Sequence, residues 1–421
     1  MKIRLMAVVA ILLFSGNLYG FEPKDTVYAN CKEPQAQKAD CSSFQPGKPA
    51  KNIIIFVNDG VGINEIYATR VFKNGPQEPL NFEKFPHHSL IKTCALKGVT
   101  DSAAASTALA TGSKTNNTRI GQDDQGNNLT NTVELAKQAG KAVGVVTTDE
   151  LPGATPAGFT VHNNKRTHYA EIAQSYLEAR PDLLMGGGRK WFAPDSGSGG
   201  GEETVIHTAS GGVIKVKQTP GRENLLVKAQ GLGYSIVLDE KDLAGLPTDA
   251  KAVLGLFAPG GMDSDAEREA DSTEPSMEQM MAASLKFLSK NNNGFFLVFE
   301  SANSDSADHS GNEKKVVSEL LAVEKAVQMA VDFQKQNPDT LILLTSDHDT
   351  GGMDVAPGNY KQGDYVKVKW TTKILPGIPA FHSSQKVGLF GSGPGSELVE
   401  KANDNTQVFC IISGAMQRNR D

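Results

Sequence analysis

Three stretches of this chain are apolar without interruption, and each runs straight into residues of metal-ligating types. Ile53–Val57 leads to Asp59, Phe295–Phe299 to Glu300, and Leu341–Leu344 to Asp347-His348. A short run that is apolar at every position cannot sit on a half-solvated sheet. It predicts a strand buried on both faces, as in the interior of a parallel sheet. Strand-like runs also occur at 142–146, 183–185 and 234–238, alternating with helix-like segments at 133–139, 169–179, 223–229, 277–288 and 317–334. That alternation predicts an α/β fold with a large, mostly parallel central sheet and helices on both faces. With 421 residues the chain is long enough for one such core with inserted loops. Gly- and Ser-rich 195–212 reads as one insertion. Residues 356–380, with the alternation Tyr365-Val366-Lys367-Val368-Lys369-Trp370, read as another.

Residues 1–20 read as a signal peptide: Lys2 and Arg4, the apolar run Leu5–Phe14, then small and polar residues. The run is too short to span a bilayer, so no transmembrane segment is expected after cleavage. The expectation is a periplasmic or secreted protein with a polar leader over 21–50 and a catalytic domain over 51–421. The formal charge of −6 becomes more negative once Lys2 and Arg4 leave, which argues against a nucleic-acid-binding role. The four cysteines have no metal-ligand spacing. In an oxidising compartment Cys31 and Cys41 are candidates for a short disulfide loop, with Cys94 and Cys410 either paired or buried as thiols.

In an open α/β sheet, ligands bind beyond the carboxyl ends of the strands. Asp59, Glu300 and Asp347-His348 all fall at such ends, and Asp305 and His309 follow Glu300 four residues apart, on one face of a helical turn. Taken singly, each has an ordinary explanation: a turn aspartate, a solvated helical pair, a capping Asp-His. Glu300 resists this, because burying it unpaired after an apolar run costs several kcal/mol. Histidine and carboxylate without cysteine suit a catalytic zinc, and the oxygen-rich subset Asp59 and Glu300 suits magnesium.

The stretch Val99-Thr100-Asp101-Ser102-Ala103-Ala104 passes from strand preference into small helix-forming residues. Ser102 is thus placed to cap or open a helix, where unpaired N–H groups favour an oxyanion. Either it is only a cap, or it is a nucleophile activated by a neighbour.

From about Lys51 onward the sequence resembles the bacterial alkaline phosphatases. The resemblance rests on Asp59-Gly60-Val61-Gly62, Thr100-Asp101-Ser102-Ala103-Ala104, Ala154-Thr155-Pro156-Ala157, Glu300 with Asp305 and His309, and Asp347-His348 before Thr350-Gly351-Gly352. It implies that Ser102 becomes phosphoserine and that Arg166 clamps phosphate. It further implies that Asp305, His309 and His382 hold one zinc, that Asp59, Asp347 and His348 hold a second, and that Asp59, Thr155 and Glu300 bind one magnesium. A small crown-like insertion, a homodimer and phosphate monoester substrates are also implied. Gly153 stands where many members carry Asp or His, Ser306 and Ser383-Ser384 also depart from the pattern, and His162 reads as structural.

Two alternatives accompany this reading. One is a phosphodiesterase of the same superfamily, against which Glu300 with Thr155 argues. The other, from a different class, is a metal- or phosphate-binding protein without turnover.

Overall fold

The apolar runs lie side by side at the centre of one sheet, and its two faces are filled by alternate residues of the same strands. The computed structural model describes residues 20–193, 203–217, 223–373, 375 and 377–416. The signal-peptide reading of 1–20 lies outside these apart from Gly20, as do residues 195–202 of the first expected insertion and residues 374 and 376 of the second.

The main sheet has nine strands: β1 (Asn52–Asn58), β2 (His87–Ile91), β3 (Ala142–Glu150), β4 (Leu183–Gly187), β5 (Tyr234–Val237), β6 (Ala252–Leu256), β7 (Phe295–Ser301), β8 (Thr340–Thr345) and β9 (Val387–Ser392). Their spatial order is β2-β9-β8-β1-β7-β3-β4-β6-β5. All neighbouring pairs are parallel except those made by β9, which runs antiparallel to both β8 and β2. Strand β1 shows why these runs are apolar throughout. Ile53, Ile55 and Val57 enter one core with the helices Ser102–Thr111, Ala154–Thr160 and Thr406–Met416. Ile54 and Phe56 enter the opposite core with the helices Met277–Leu288 and Glu313–Gln336.

The helix Ser102–Thr111 is buried at every residue. Its small side chains permit this: Gly158 leaves room for Ser106, whose hydroxyl donates to the Ala154 carbonyl at 3.1 Å. Outside the main sheet, Glu203–His207 pairs with Val213–Lys217, and Met353–Val355 with Val368–Trp370. A two-residue ribbon pairs Asp349 with Ser383 and Thr350 with His382, bringing the late histidine back to the end of β8. Among the described residues no helix is long and apolar enough to cross a membrane.

The expected Cys31–Cys41 loop is not formed. Cys31 bonds Cys94 and Cys41 bonds Cys410. The leader does not fold back on itself. It runs along the body of the protein, pinned first just beyond β2 and then on the last helix, so each cysteine meets a partner distant in sequence. Bridging residues 369 apart removes much chain entropy from the unfolded state. Replacing Cys41 and Cys410 together by serine is expected to lower unfolding stability by about 3 kcal/mol, read from urea denaturation under oxidising conditions.

Candidate active site

Strand register determines which acids meet. Val57 of β1 lies opposite Thr345 of β8 and opposite Glu300 of β7, so Asp59, Asp347 and Glu300 emerge together at the carboxyl edge. The turn after β1 is tight: Gly60 has φ +81°, and a Cβ there would lie 2.7 Å from Asp305 Cα. Its N–H points to Asp347 Oδ1 at 3.3 Å, which also accepts from the His348 N–H at 2.9 Å. Asp347 Oδ2, Asp59 Oδ1 and Thr155 Oγ1 are buried without a close hydrogen-bond partner.

Asp305 and His309 lie on the helix Asn303–Ser310, with His309 Nε2 3.2 Å from Asp305 Oδ2. His382 Nε2 is 3.9 Å from Asp305 Oδ1, and the His348 and His382 rings stack at 3.7 Å. One donor atom from each of Asp305, His309 and His382 lies within 4.8 Å of the others, and the same holds for Asp59, Asp305 and His348. The hydrogen-bond network selects the tautomers. His309 Nδ1 faces the Ala380 carbonyl at 2.5 Å and His382 Nδ1 the Thr100 carbonyl at 2.9 Å, so both carry their proton on Nδ1. The Thr350 hydroxyl donates to Asp305 Oδ1 at 2.6 Å and therefore accepts from His348 Nδ1 at 3.1 Å. In their neutral forms all three imidazoles thus turn an Nε2 lone pair toward the acids. That is the arrangement of metal-binding histidines held by outer hydrogen bonds.

Ser102 begins its helix, and Asp101 is the cap, its Oδ1 accepting from the Ala104 N–H at 2.9 Å. The capping reading of Ser102 is therefore replaced: its hydroxyl is free of that duty and sits 3.2 Å from His348 Nε2. Asp101 Oδ2 in turn accepts from the Thr118 N–H and holds Arg166 Nη1 at 3.3 Å. Arg166 keeps 30% of its side chain exposed, at the mouth of the site.

Burial and crowding perturb Asp59, Glu300, Asp347 and Asp305. Burial, then Asp347, Asp305 and Glu300, drive Asp59 well above the usual carboxylate range. Burial and the facing Asp149 push Glu300 up to about 8, although Thr147 Oγ1 donates to it at 2.5 Å. Asp347 is pushed up to about 7 by burial and Asp305. Burial also acts to raise Asp305, but the surrounding histidines outweigh it and hold Asp305 low. His348 and His382 are lowered by burial, whereas His309 is raised by its bond to Asp305. Excess negative charge, unpartnered buried oxygens and convergent nitrogen lone pairs form a donor set that fits divalent cations. The Asp305, His309 and His382 group suits zinc, and the oxygen donors Asp59, Thr155 and Glu300 suit magnesium.

All ten candidate residues thus converge at one edge of the sheet. His162 lies apart, bonded to the Gly121 carbonyl and to Glu134, as a structural histidine does. Sequence reasoning missed three residues. Asp101 doubles as cap and arginine anchor, a role signalled by its place before Ser102. Thr350 sets a tautomer, and Asp149 faces Glu300 from the run Thr-Thr-Asp-Glu at the end of β3, four residues beyond the expected strand end.

A serine hydroxyl on a helix N-terminus, an arginine at the mouth and an edge crowded with carboxylates and histidines are parts that suit a hydrolase of phosphoric esters. The comparisons make this specific. The sequence model of the alkaline phosphatase family matches residues 50–373. Alkaline phosphatase 3 of Bacillus subtilis is 32% identical over 85% of this chain and 71% of its own length. Alkaline phosphatase of Escherichia coli is 31% identical over 88% and 86%. The solved alkaline phosphatase of the Antarctic bacterium TAB5 superposes with a TM-score of 0.73 and 27% identity, covering 89% of this chain and 99% of that one. A variant of that enzyme, with aspartate in place of a histidine, has magnesium bound in its M3 site. The chain belongs to the alkaline phosphatase family and is a phosphoric monoester hydrolase.

The raised acids give the metal-free protein a pH signature. A carboxyl whose folded pKa exceeds its unfolded value contributes stability at low pH, and that contribution is lost as pH rises through the folded value. With unfolded carboxyls titrating near about pH 4, Asp347 and Glu300 place the loss between about pH 4 and their folded values of about 7 and about 8. Above about pH 7, where unfolded histidines no longer titrate, the remaining fall is that of Glu300. The melting temperature of chelated protein is expected to fall across this window, and saturating zinc and magnesium are expected to abolish most of the fall.

Proposed function

We propose that this enzyme hydrolyses phosphate monoesters through a covalent phosphoserine on Ser102. The carrying observation is that Ser102, a residue only 4% exposed and free of capping duty, holds its hydroxyl against His348 within a cluster of side chains suited to cations. Asp305, His309 and His382 would hold one zinc, Asp59, Asp347 and His348 a second, and Asp59, Thr155 and Glu300 a magnesium. When bound, these ions supply Lewis acidity, lowering the pKa of a nearby hydroxyl and stabilising charge on entering and leaving oxygens.

The protein's own groups do the rest. The helix Ser102–Thr111 presents the Ser102 oxygen to phosphorus with its N-terminal N–H groups facing the anion. Arg166, pre-set by Asp101, offers a planar fork to two equatorial phosphoryl oxygens. Attack by Ser102 forms the Oγ–P bond as the ester oxygen departs, and water then attacks the phosphoserine and frees phosphate and the serine hydroxyl. Ser102 and Arg166 would both act on the phosphoryl group, which supports broad specificity toward the leaving alcohol. Two disulfides favour an oxidising compartment, so we assign the enzyme to the periplasm or the secreted fraction, and family likeness favours a homodimer.

With p-nitrophenyl phosphate at alkaline pH, Ser102→Ala is expected to lose at least about 10³-fold in kcat/KM. Acid quenching of wild type during turnover should leave a phosphate mass on the peptide containing Ser102. Arg166→Ala should weaken inorganic phosphate inhibition about 10- to 100-fold, the worth of a charged hydrogen-bond pair. Full turnover by Ser102→Ala, or by chelated protein, would overturn the assignment.

A further inference from the structure

The space above Gly153 is occupied by a carboxylate from another element. A Cβ at position 153 would fall onto Asp149 Oδ2, with the Glu150 carbonyl only 2.8 Å away. Gly153 lies two residues before Thr155, whose hydroxyl is buried without a close hydrogen-bond partner. Asp149 reaches this position because the β3–β4 register slips between Val146 and Glu150, and such irregularities re-aim side chains. Thr147 ties it to the acids: the Asp149 N–H donates to Thr147 Oγ1 at 2.9 Å, and that hydroxyl donates to Glu300 at 2.5 Å. The neighbouring cations are already engaged, Lys190 with Glu150 and Arg166 with Asp101. The Asp149 carboxylate therefore adds negative charge beside Glu300, offset only in part by Arg166, which is shared with Asp101.

We propose that Asp149 is a further oxygen donor of the magnesium-class site formed by Asp59, Thr155 and Glu300, acting directly or through one of the waters such an ion retains. The proposal rests on the metal assignment above. It explains why position 153 is glycine: the carboxylate comes from the strand, and a side chain at 153 would displace it. Asp149 is a positioning residue for the cation and has no contact with substrate.

The test is calorimetric titration of magnesium into zinc-loaded wild type, Asp149→Asn, Asp149→Ala and Asp149→Ala/Gly153→Asp, with metal content measured separately. Asp149→Asn and Asp149→Ala should each weaken magnesium binding about 10- to 100-fold while leaving zinc content unchanged. The double variant, which returns a carboxylate to the vacated space, should recover most of that loss. The metal-free melting temperature of Asp149→Asn should equal or exceed that of wild type above pH 7, because a repulsive charge is removed. A purely structural role would lower it and leave magnesium affinity unmoved. Magnesium affinity in Asp149→Asn within about twofold of wild type would overturn the role of Asp149 alone. Absence of magnesium binding in wild type would overturn the metal assignment and this proposal with it.

Discussion

Mutual repulsion among buried carboxylates is the constraint on which this molecule turns. Asp59, Glu300 and Asp347 are brought together by the register of three central strands, not by loops that could relax apart. The strands are fixed by apolar packing on both faces, so the acids cannot separate without breaking the core. The resulting site is preorganised for positive charge. Its energetic cost sits in the metal-free protein, as raised proton affinity, and is recovered when cations replace protons.

The same economy governs the groups around the acids. Asp101 caps a helix, accepts from the Thr118 backbone and steers Arg166, so backbone order and the proposed phosphate clamp share one carboxylate. Three carbonyl or hydroxyl partners place the histidine protons on Nδ1, leaving the inward nitrogens as donors of electron pairs. As the proposed nucleophile, Ser102 needs no base dedicated to it alone. Its hydroxyl faces a nitrogen that belongs to the cation-binding set.

Much of this was legible in the sequence, for identifiable reasons. Short uninterrupted apolar runs in alternation with helical segments fit doubly buried strands, and the expected helices at 169–179 and 277–288 coincide with those observed. The acids following those runs were readable because a carboxylate beside an apolar strand needs a reason. The antiparallel strand Val387–Ser392 was not anticipated: Val387-Gly388-Leu389-Phe390-Gly391 has two glycines and no flanking signal of direction. The disulfides could not be read either, since pairing follows spatial proximity and each true partner lies far along the chain. Asp149 was hidden because its contribution depends on a register slip and on the emptiness of Gly153, neither of which leaves a periodic trace.

The bond between Cys41 and Cys410 orders events in time. During synthesis the thiol of Cys41 appears 369 residues before its mate, an interval of roughly 20–70 s at ordinary elongation rates. Throughout that interval Cys31 and then Cys94 are the available alternatives, and a bond between Cys31 and Cys41 would have to be undone. The leader can be locked to the body only after the final helix is made and docked. That bond therefore joins nearly the two ends of the described chain, and it cannot form before almost all of the sheet has been synthesised.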